Sequence, residues 1–214
     1  MHNGVYSPVN VLLQSHIDIT LDNGLGSVIL KNDTIIFDTL NWGIGACRHA
    51  NGRDWWVVMH KDSSDLIFKI LISNNGLVNV ASQQLGYLPL PWGHLAQITF
   101  SPDGSKFITT TYNPQNSDSY IVLSDFDRCT GAFSNTQSIQ LTNSALLWGL
   151  AFSPSGKYAY ACSSNKIFQV DTDSLTFTTV ATYDGFISPG PNCCNTSFWN
   201  MYLAANGKIY CNIR

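Results

Sequence analysis

Short runs of β-branched and aromatic residues alternate with turn residues along the whole chain. Each of four glycine-containing turns is followed by such a run: Trp55–Met59, Lys106–Thr110, Tyr158–Ala161 and Lys208–Tyr210. Aromatic and β-branched residues between turn signals are typical of strands. No segment carries an uninterrupted helical pattern of ten residues. The pattern therefore predicts an all-β fold.

The turns recur at a nearly constant interval. Their glycines are Gly52, Gly104, Gly156 and Gly207, so the intervals are 52, 52 and 51 residues. The residue before each glycine is Asn, Asp or Ser, which suits tight hairpins. A second hairpin follows the first in each repeat, so that one repeat holds four strands, A to D. Units of four strands at this period are typical of β-propeller blades.

The period also sets the expected blade boundaries. We expect a C-D hairpin of a partial blade at 1–44, whole blades at 45–92, 93–147 and 148–197, and an A-B hairpin of a partial blade at 198–214. The two partial blades could pair and close a four-blade ring. We favour a larger propeller completed by further blades, and a ladder between Ile17–Leu21 and Lys208–Asn212 would contradict it.

The charge content excludes several classes of protein. Of 214 residues 12% are charged and 44% are hydrophobic, and the net charge is -3. Disorder requires low hydrophobicity and high net charge. A nucleic-acid-binding surface requires a basic excess, whereas 11 basic residues face 14 acidic ones. No apolar run approaches about 18 residues, so we expect no membrane span, and the N-terminal residues predict no secretory signal in this chain.

Tryptophan recurs just before the innermost strand of each predicted blade. Trp42, Trp92, Trp148 and Trp199 are spaced 50, 56 and 51 residues apart. They would therefore surround one mouth of the central channel or pack between blades, where an indole buries about 150–250 Å². Exposure of two or more indole faces at one mouth would favour an aromatic platform for a sugar or peptide. Full burial of all four would remove that role.

Arg48, His49 and His94 complete the candidate binding residues. Arg48 stands at a position that is apolar in the other three repeats. We expect it to be at least half buried and paired with a carboxylate, for which Asp54 is a candidate, because a buried guanidinium needs a partner; a ligand contact at the axis is the alternative. His49 and His94 lie in strand-A segments without a carboxylate cluster, so we expect no metal and no cofactor.

Acidic pairs lie at two C-D turns, at Asp125–Asp127 and Asp171–Asp173. We interpret them as turn-capping residues rather than calcium ligands, because no third carboxylate lies nearby.

The six cysteines show no C-x-x-C spacing, so a structural zinc site is not expected. Cys47, Cys162 and Cys211 lie in apolar strand segments and are expected to be small buried side chains. The adjacent Cys193 and Cys194 fit either free thiols or a disulfide.

Several segments resemble known propeller proteins. Phe100–Phe107 (FSPDGSKF) and Phe152–Tyr158 (FSPSGKY) resemble the repeat of WD-like, YVTN-type and TolB-type propellers, which indicates strands A and B but no function. Ile17–Gly26, Arg48–Trp56 and Phe126–Gly131 resemble a family of secreted propeller proteins of gliding bacteria. Those proteins usually end in a type IX secretion sorting domain or a gliding-motility-associated C-terminal domain. The resemblance covers essentially the whole chain and implies an extracellular or cell-surface location and a larger propeller of seven blades.

The common enzyme motifs are missing from the sequence. It contains no G-x-S-x-G elbow, P-loop, H-E-x-x-H or EF-hand loop. We therefore expect a non-catalytic extracellular or cell-surface propeller that binds protein or glycan through its loops and channel mouth. The alternative is a propeller enzyme, a lactonase-like or glycan-cleaving hydrolase, with its active site at the channel mouth. A metal held at the channel, or a strongly perturbed carboxylate there, would favour the enzyme.

Overall fold

The chain folds into antiparallel β-sheets throughout its described part. The computed structural model describes residues 9–87, 97–142, 146–187 and 196–213. These residues form fifteen strands and one short 3-10 turn, Asp22–Gly24. The strands make four antiparallel sheets that follow one another in chain order. The predicted all-β fold is confirmed.

The first sheet is larger than predicted. Its five strands, in spatial order, are β1 (Val9–Asp18), β2 (Ser27–Arg48), β3 (Trp55–Lys61), β4 (Leu66–Ser73) and β5 (Gly76–Gln84). β2 has 22 residues: it pairs first with β1 and, from Leu40 to Arg48, with β3. The expected boundary at 44/45 therefore falls inside a continuous strand, because Ile44 lies in register opposite Met59 and no turn intervenes.

The second and third sheets are four-stranded meanders. The second contains β6 (Thr99–Phe100), β7 (Lys106–Asn113), β8 (Asp118–Asp127) and β9 (Ala132–Leu141). The third contains β10 (Leu147–Phe152), β11 (Tyr158–Ser163), β12 (Lys166–Asp171) and β13 (Phe177–Thr182). The predicted repeat of four antiparallel strands is confirmed in both.

The fourth sheet is a single hairpin of β14 (Phe198–Leu203) and β15 (Ile209–Ile213). Within the described ranges β15 pairs with β14 alone and β1 pairs with β2 alone. The ladder that would close a four-blade ring is not formed there.

The four A-B turns share one geometry, which confirms the repeat at the level of the backbone. Gly52, Gly104, Gly156 and Gly207 have φ values of 72°, 73°, 73° and 75°. Each glycine N–H donates to the carbonyl three residues earlier, at 2.8–2.9 Å. A positive φ favours glycine over residues with a Cβ, so the turn signals read from the sequence carry the predicted structural role.

The hydrophobic core lies between neighbouring sheets. The buried cluster between the first and second sheets comprises Cys47, Trp56, Val58, Ile67, Leu85, Tyr87, Ile98, Phe100, Phe107, Val122, Phe126 and Phe133. Its ring centroids are close, for example 4.7 Å between Phe126 and Phe133. A similar cluster joins the second and third sheets. A smaller one joins the third and fourth sheets through Ala151, Cys162 and Met201. Face-to-face packing of this kind explains why five consecutive residues of β7 are all buried.

One strand of each sheet, which we call its inner strand, lies next to the inner strand of the following sheet. β2 neighbours β6, β6 neighbours β10, and β10 neighbours β14. The residues just before and within these strands therefore converge from all four sheets. This convergence places Trp42, Trp148 and Trp199, three of the predicted tryptophans, near one another.

Candidate functional site

A cavity of about 430 Å³ opens beside the inner strands β2, β10 and β14. We call it the mouth cavity. Its lining contains three of the four predicted tryptophans and comprises Trp42, Gly43, Ile44, Gln97, Ile98, Trp148, Trp199, Asn200 and Tyr202. Trp92 and His94, which were also predicted to lie at this mouth, are outside the described residues.

The indoles of the mouth cavity are partly open to solvent. Trp42 is 58% exposed, and Trp148 and Trp199 are half-buried. The rings of Trp148 and Trp199 stack with their centroids 4.1 Å apart and their planes at 20°. Tyr202, 57% exposed, adds a fourth aromatic ring to the lining. Trp42 and Tyr202 thus present exposed rings to the cavity, whereas Trp148 and Trp199 pack against each other between the third and fourth sheets.

The stacked pair is held by a close approach of the third and fourth sheets. A Cβ on Gly149 would lie 2.8 Å from the Met201 nitrogen and 2.9 Å from the Cys162 sulfur. The Cys162 thiol donates to the Trp199 carbonyl at 2.9 Å. Because glycine leaves room for the backbone of β14, the two tryptophans can lie face to face.

Gln97 connects three sheets beneath the mouth. Its side-chain oxygen accepts the N–H of Leu150 in β10 at 3.2 Å and the N–H of Met201 in β14 at 2.9 Å. The backbone N–H of Gln97 donates to the Trp148 carbonyl at 2.9 Å.

The sequence-based choice of site residues missed Gln97, Asn200 and Tyr202. A signal for the first two exists in the repeat: seven residues before each turn glycine stand Gly45, Gln97, Gly149 and Asn200. Two repeats thus place an amide side chain where the other two have no side chain at all. Comparison of the repeats at that position would have identified both amides.

The prediction that Arg48 is at least half buried and paired with a carboxylate is wrong. Arg48 is exposed, and its guanidinium lies over the Trp55 ring, 5.4 Å from the centroid. Its N–H contact within the described residues is a 3.4 Å bond to the Gly52 carbonyl. Asp54 pairs with Arg53 instead, at 3.0 Å. Hydrogen bonds from Arg53 and Asn51 hold the pKa of Asp54 below its usual value.

His49 directly follows β2 and is not among the residues that line the mouth cavity. Its Nδ1 accepts the N–H of Asn51 at 3.0 Å, so Nε2 carries the proton that it donates to the Cys129 carbonyl at 3.0 Å. Trp56 donates from its indole N–H to the neighbouring Arg128 carbonyl at 2.8 Å. His49 therefore joins the first sheet to the C-D turn of the second, and its predicted ligand-binding role stays a prediction.

The acidic turns have the predicted capping geometry. Asp127 accepts the N–H of Cys129 and the hydroxyl of Thr130, both at 2.8 Å. These bonds lower the pKa of Asp127. Asp171 accepts the N–H groups of Asp173 and Ser174 at 3.0 and 2.9 Å, which lowers its pKa too. Their carboxylate oxygens are thus used within the turns.

The cysteines partly follow the sequence prediction. Cys47 and Cys162 are buried free thiols, whereas Cys211 is half-buried and Cys129 is exposed. Burial raises the pKa of Cys47 to about 12 although Arg128 lowers it. The vicinal pair at 193–194 lies outside the described residues.

The described ranges contain no metal-binding cluster and no helix that could cross a membrane. No three side chains among His, Cys, Asp and Glu are grouped in a way that could hold a metal ion. No helix in this part of the chain has the length and apolar character needed to cross a membrane.

Comparison with known proteins supports the architecture. The sequence matches no protein-family model and no curated protein. Hydrazine synthase of Kuenenia stuttgartiensis matches in structure, with 15% identity, a TM-score of 0.52, and coverage of 88% of this chain and 55% of that chain. The fold is a β-propeller fold.

Two further solved structures match with lower scores. They are the periplasmic gluconolactonase of Pseudomonas aeruginosa (16% identity, TM-score 0.49, 94% of this chain and 56% of that chain) and the PQQ domain of pyranose dehydrogenase from Coprinopsis cinerea (13%, 0.48, 83% and 49%). The chain spans about half the length of the structures that it matches. At these identities the similarity concerns the fold and not a site or an activity.

Proposed function

We propose that this protein is a non-catalytic propeller module that binds a glycan at the mouth cavity. The observation that supports it is the set of three tryptophans on one cavity of about 430 Å³. Indoles present a broad apolar face with one polar N–H, which suits the C–H face of a sugar ring. The amides of Gln97 and Asn200 on the same lining can bond its hydroxyl groups. Apolar walls with a few polar groups are typical of ligand sites.

The described lining of the mouth cavity favours binding over catalysis. It contains no carboxylate, histidine, cysteine, lysine or arginine. An acid–base pair or a nucleophile with its base, which hydrolytic sites need, is therefore not provided by these residues. A lactonase-like or glycan-cleaving activity would appear in a turnover assay with the same sugars.

The cellular setting is part of the proposal. The resemblance of Arg48–Trp56 and Phe126–Gly131 to secreted propellers of gliding bacteria supports an extracellular or cell-surface location and type IX secretion. The half-length match to solved propellers supports further blades as partners of these four sheets. Export can be tested by locating the protein in cell fractions of its host.

The binding proposal is tested with the most exposed described indole of the mouth cavity. Trp42→Ala removes a 58% exposed ring. We expect at least a tenfold increase in Kd for a neutral oligosaccharide, about 1.4 kcal/mol, measured by calorimetry. Phe177→Ala is the matched control, because it removes a 45% exposed ring on the outer strand β13. Unchanged glycan binding by Trp42→Ala would contradict the proposal, as would binding of peptides with no binding of glycans.

A further inference from the structure

A second cavity, of about 320 Å³, lies between the first and second sheets. We call it the arginine cavity. Its lining comprises Ala46, Cys47, Arg48, Trp55, Phe100, Ser101, Pro102, Asp103, Gly104 and Arg128. Two arginines thus line one concave surface.

Neither guanidinium is neutralised within the described residues. The ion pairs found there involve Arg53, Lys61 and Lys106 but neither Arg48 nor Arg128. The stem of Arg128 lies over Gly104, where a Cβ would be 2.5 Å from its Cδ. The absence of a side chain at position 104 therefore admits Arg128 to the cavity.

The single carboxylate of the described lining, Asp103, is already engaged. It accepts the hydroxyl of Ser101 at 2.5 Å and both the N–H and the hydroxyl of Ser105, at 3.1 and 2.7 Å. Burial raises the pKa of Asp103, but these hydrogen bonds outweigh it and lower the pKa below its usual value. Asp103 is thus ionised near neutral pH, and the two arginines leave the lining with a net positive charge.

The arginine cavity and the mouth cavity are linked. A third cavity lies along the inner strands; it shares Ile44, Gln97, Ile98 and Tyr202 with the mouth cavity. It shares Ala46, Phe100 and Pro102 with the arginine cavity. Trp42 lines the mouth cavity and Arg48 lines the arginine cavity, and the two residues are six positions apart on β2. At about 3.3 Å per residue, this is a groove of roughly 20 Å.

We propose that the arginine cavity is an anion-binding subsite in which Arg48 and Arg128 bind a carboxylate or sulfate group. Guanidinium donors match the geometry of planar and tetrahedral oxyanions. Trp55, 42% exposed, provides an apolar wall beside Arg48. We take this anion to be part of the ligand that occupies the mouth cavity, so that the ligand is an acidic oligosaccharide lying along the groove. This step rests on the proposed function.

The test uses the full chain and three probes: sodium sulfate, a neutral oligosaccharide, and an acidic oligosaccharide of the same length. We expect the acidic sugar to bind at least tenfold more tightly than the neutral one at low salt. Sulfate should compete with the acidic sugar but not with the neutral one. The double variant Arg48→Gln/Arg128→Gln should abolish the tenfold difference and leave neutral binding unchanged. Arg53→Gln is the matched control, because Arg53 lies on the same hairpin but outside the cavity.

The outcomes separate the two proposals. Equal affinity for acidic and neutral sugars, or an equal loss of acidic binding in Arg53→Gln, overturns the anion subsite. Arginine-dependent sulfate binding without any neutral sugar binding supports the subsite and overturns the proposed function. Thermal unfolding of the double variant within about 2–4 °C of the parent chain, roughly 1 kcal/mol, shows that any loss of binding does not come from unfolding.

Discussion

Replacing Gly149 by alanine tests how the third and fourth sheets create the mouth cavity. The new Cβ would lie 2.8 Å from the Met201 nitrogen and 2.9 Å from the Cys162 sulfur, and closer still to the Trp199 carbonyl oxygen. Two of these neighbours are backbone atoms, so relief requires β14 to move away from β10. Gly149 lies outside the set of glycines with positive φ, so the cost comes from crowding and not from backbone strain.

The expected size of the effect follows from that crowding. Overpacking of a well-packed interior costs about 1–3 kcal/mol, whereas Gly→Ala at a compatible conformation recovers about 0.4–1 kcal/mol through the unfolded state. We therefore expect Gly149→Ala to lose about 1–2 kcal/mol of unfolding free energy. At about 2–4 °C per kcal/mol for a chain of this size, the melting temperature should fall by several degrees. Separation of the stacked indoles should also weaken the near-ultraviolet circular dichroism.

Gly45→Ala is the matched control for this experiment. Gly45 occupies the same position in the first repeat, but its Cβ would meet the Ile98 side chain at 3.2 Å and the Ile98 carbonyl at 3.4 Å. This milder contact predicts a change near zero, because the entropic gain offsets it. Urea denaturation of both variants gives the comparison. If Gly149→Ala is as stable as Gly45→Ala, the close approach of β14 does not determine the geometry of the mouth.

Two further predictions concern titratable groups. Hydrogen bonds lower the pKa of Asp127 in the folded chain. Its stabilising contribution is therefore present above the unfolded pKa of about 3.9 and is lost as pH falls through the lower, folded value. In urea denaturation, Asp127→Asn should lose less unfolding free energy on acidification than the parent chain, and an equal loss in both proteins would contradict this. Cys211 is half-buried, whereas Cys47 is buried and burial raises its pKa to about 12. Iodoacetamide at neutral pH, read by peptide mass spectrometry, should therefore label Cys211 before Cys47, and the reverse order would contradict the assignment.

Local chemistry made most of the fold predictable. Each A-B turn combines a glycine with a preceding Asn, Asp or Ser, and the structure gives all four turn glycines the same conformation. The period of the turns then predicts the strand order within a blade. The continuity of β2 was not predictable in this way, because it depends on the pairing of its last nine residues with β3.

The parts of the site that depend on distant contacts were not predictable from local patterns. Arg48 was assigned a buried position because the same place is apolar in other repeats. It is the last residue of its strand and lies opposite Trp55, whose exposed ring leaves the guanidinium in solvent. His49 bonds to Cys129, eighty positions further along the chain. Gln97 joins sheets whose residues are 53 and 104 positions away from it.

The bond between Gln97 and Met201 has a consequence for how the repeats unfold. In repeat proteins each unit contacts only its immediate neighbours, and stability is then close to a sum of unit and nearest-neighbour terms. The Gln97 side chain joins the second sheet to the fourth, past the third. Unfolding of the fourth sheet therefore removes a hydrogen bond from the second sheet, which is not its neighbour in sequence. The inner strands should unfold as one cooperative unit, with fraying confined to the outer strands of each blade.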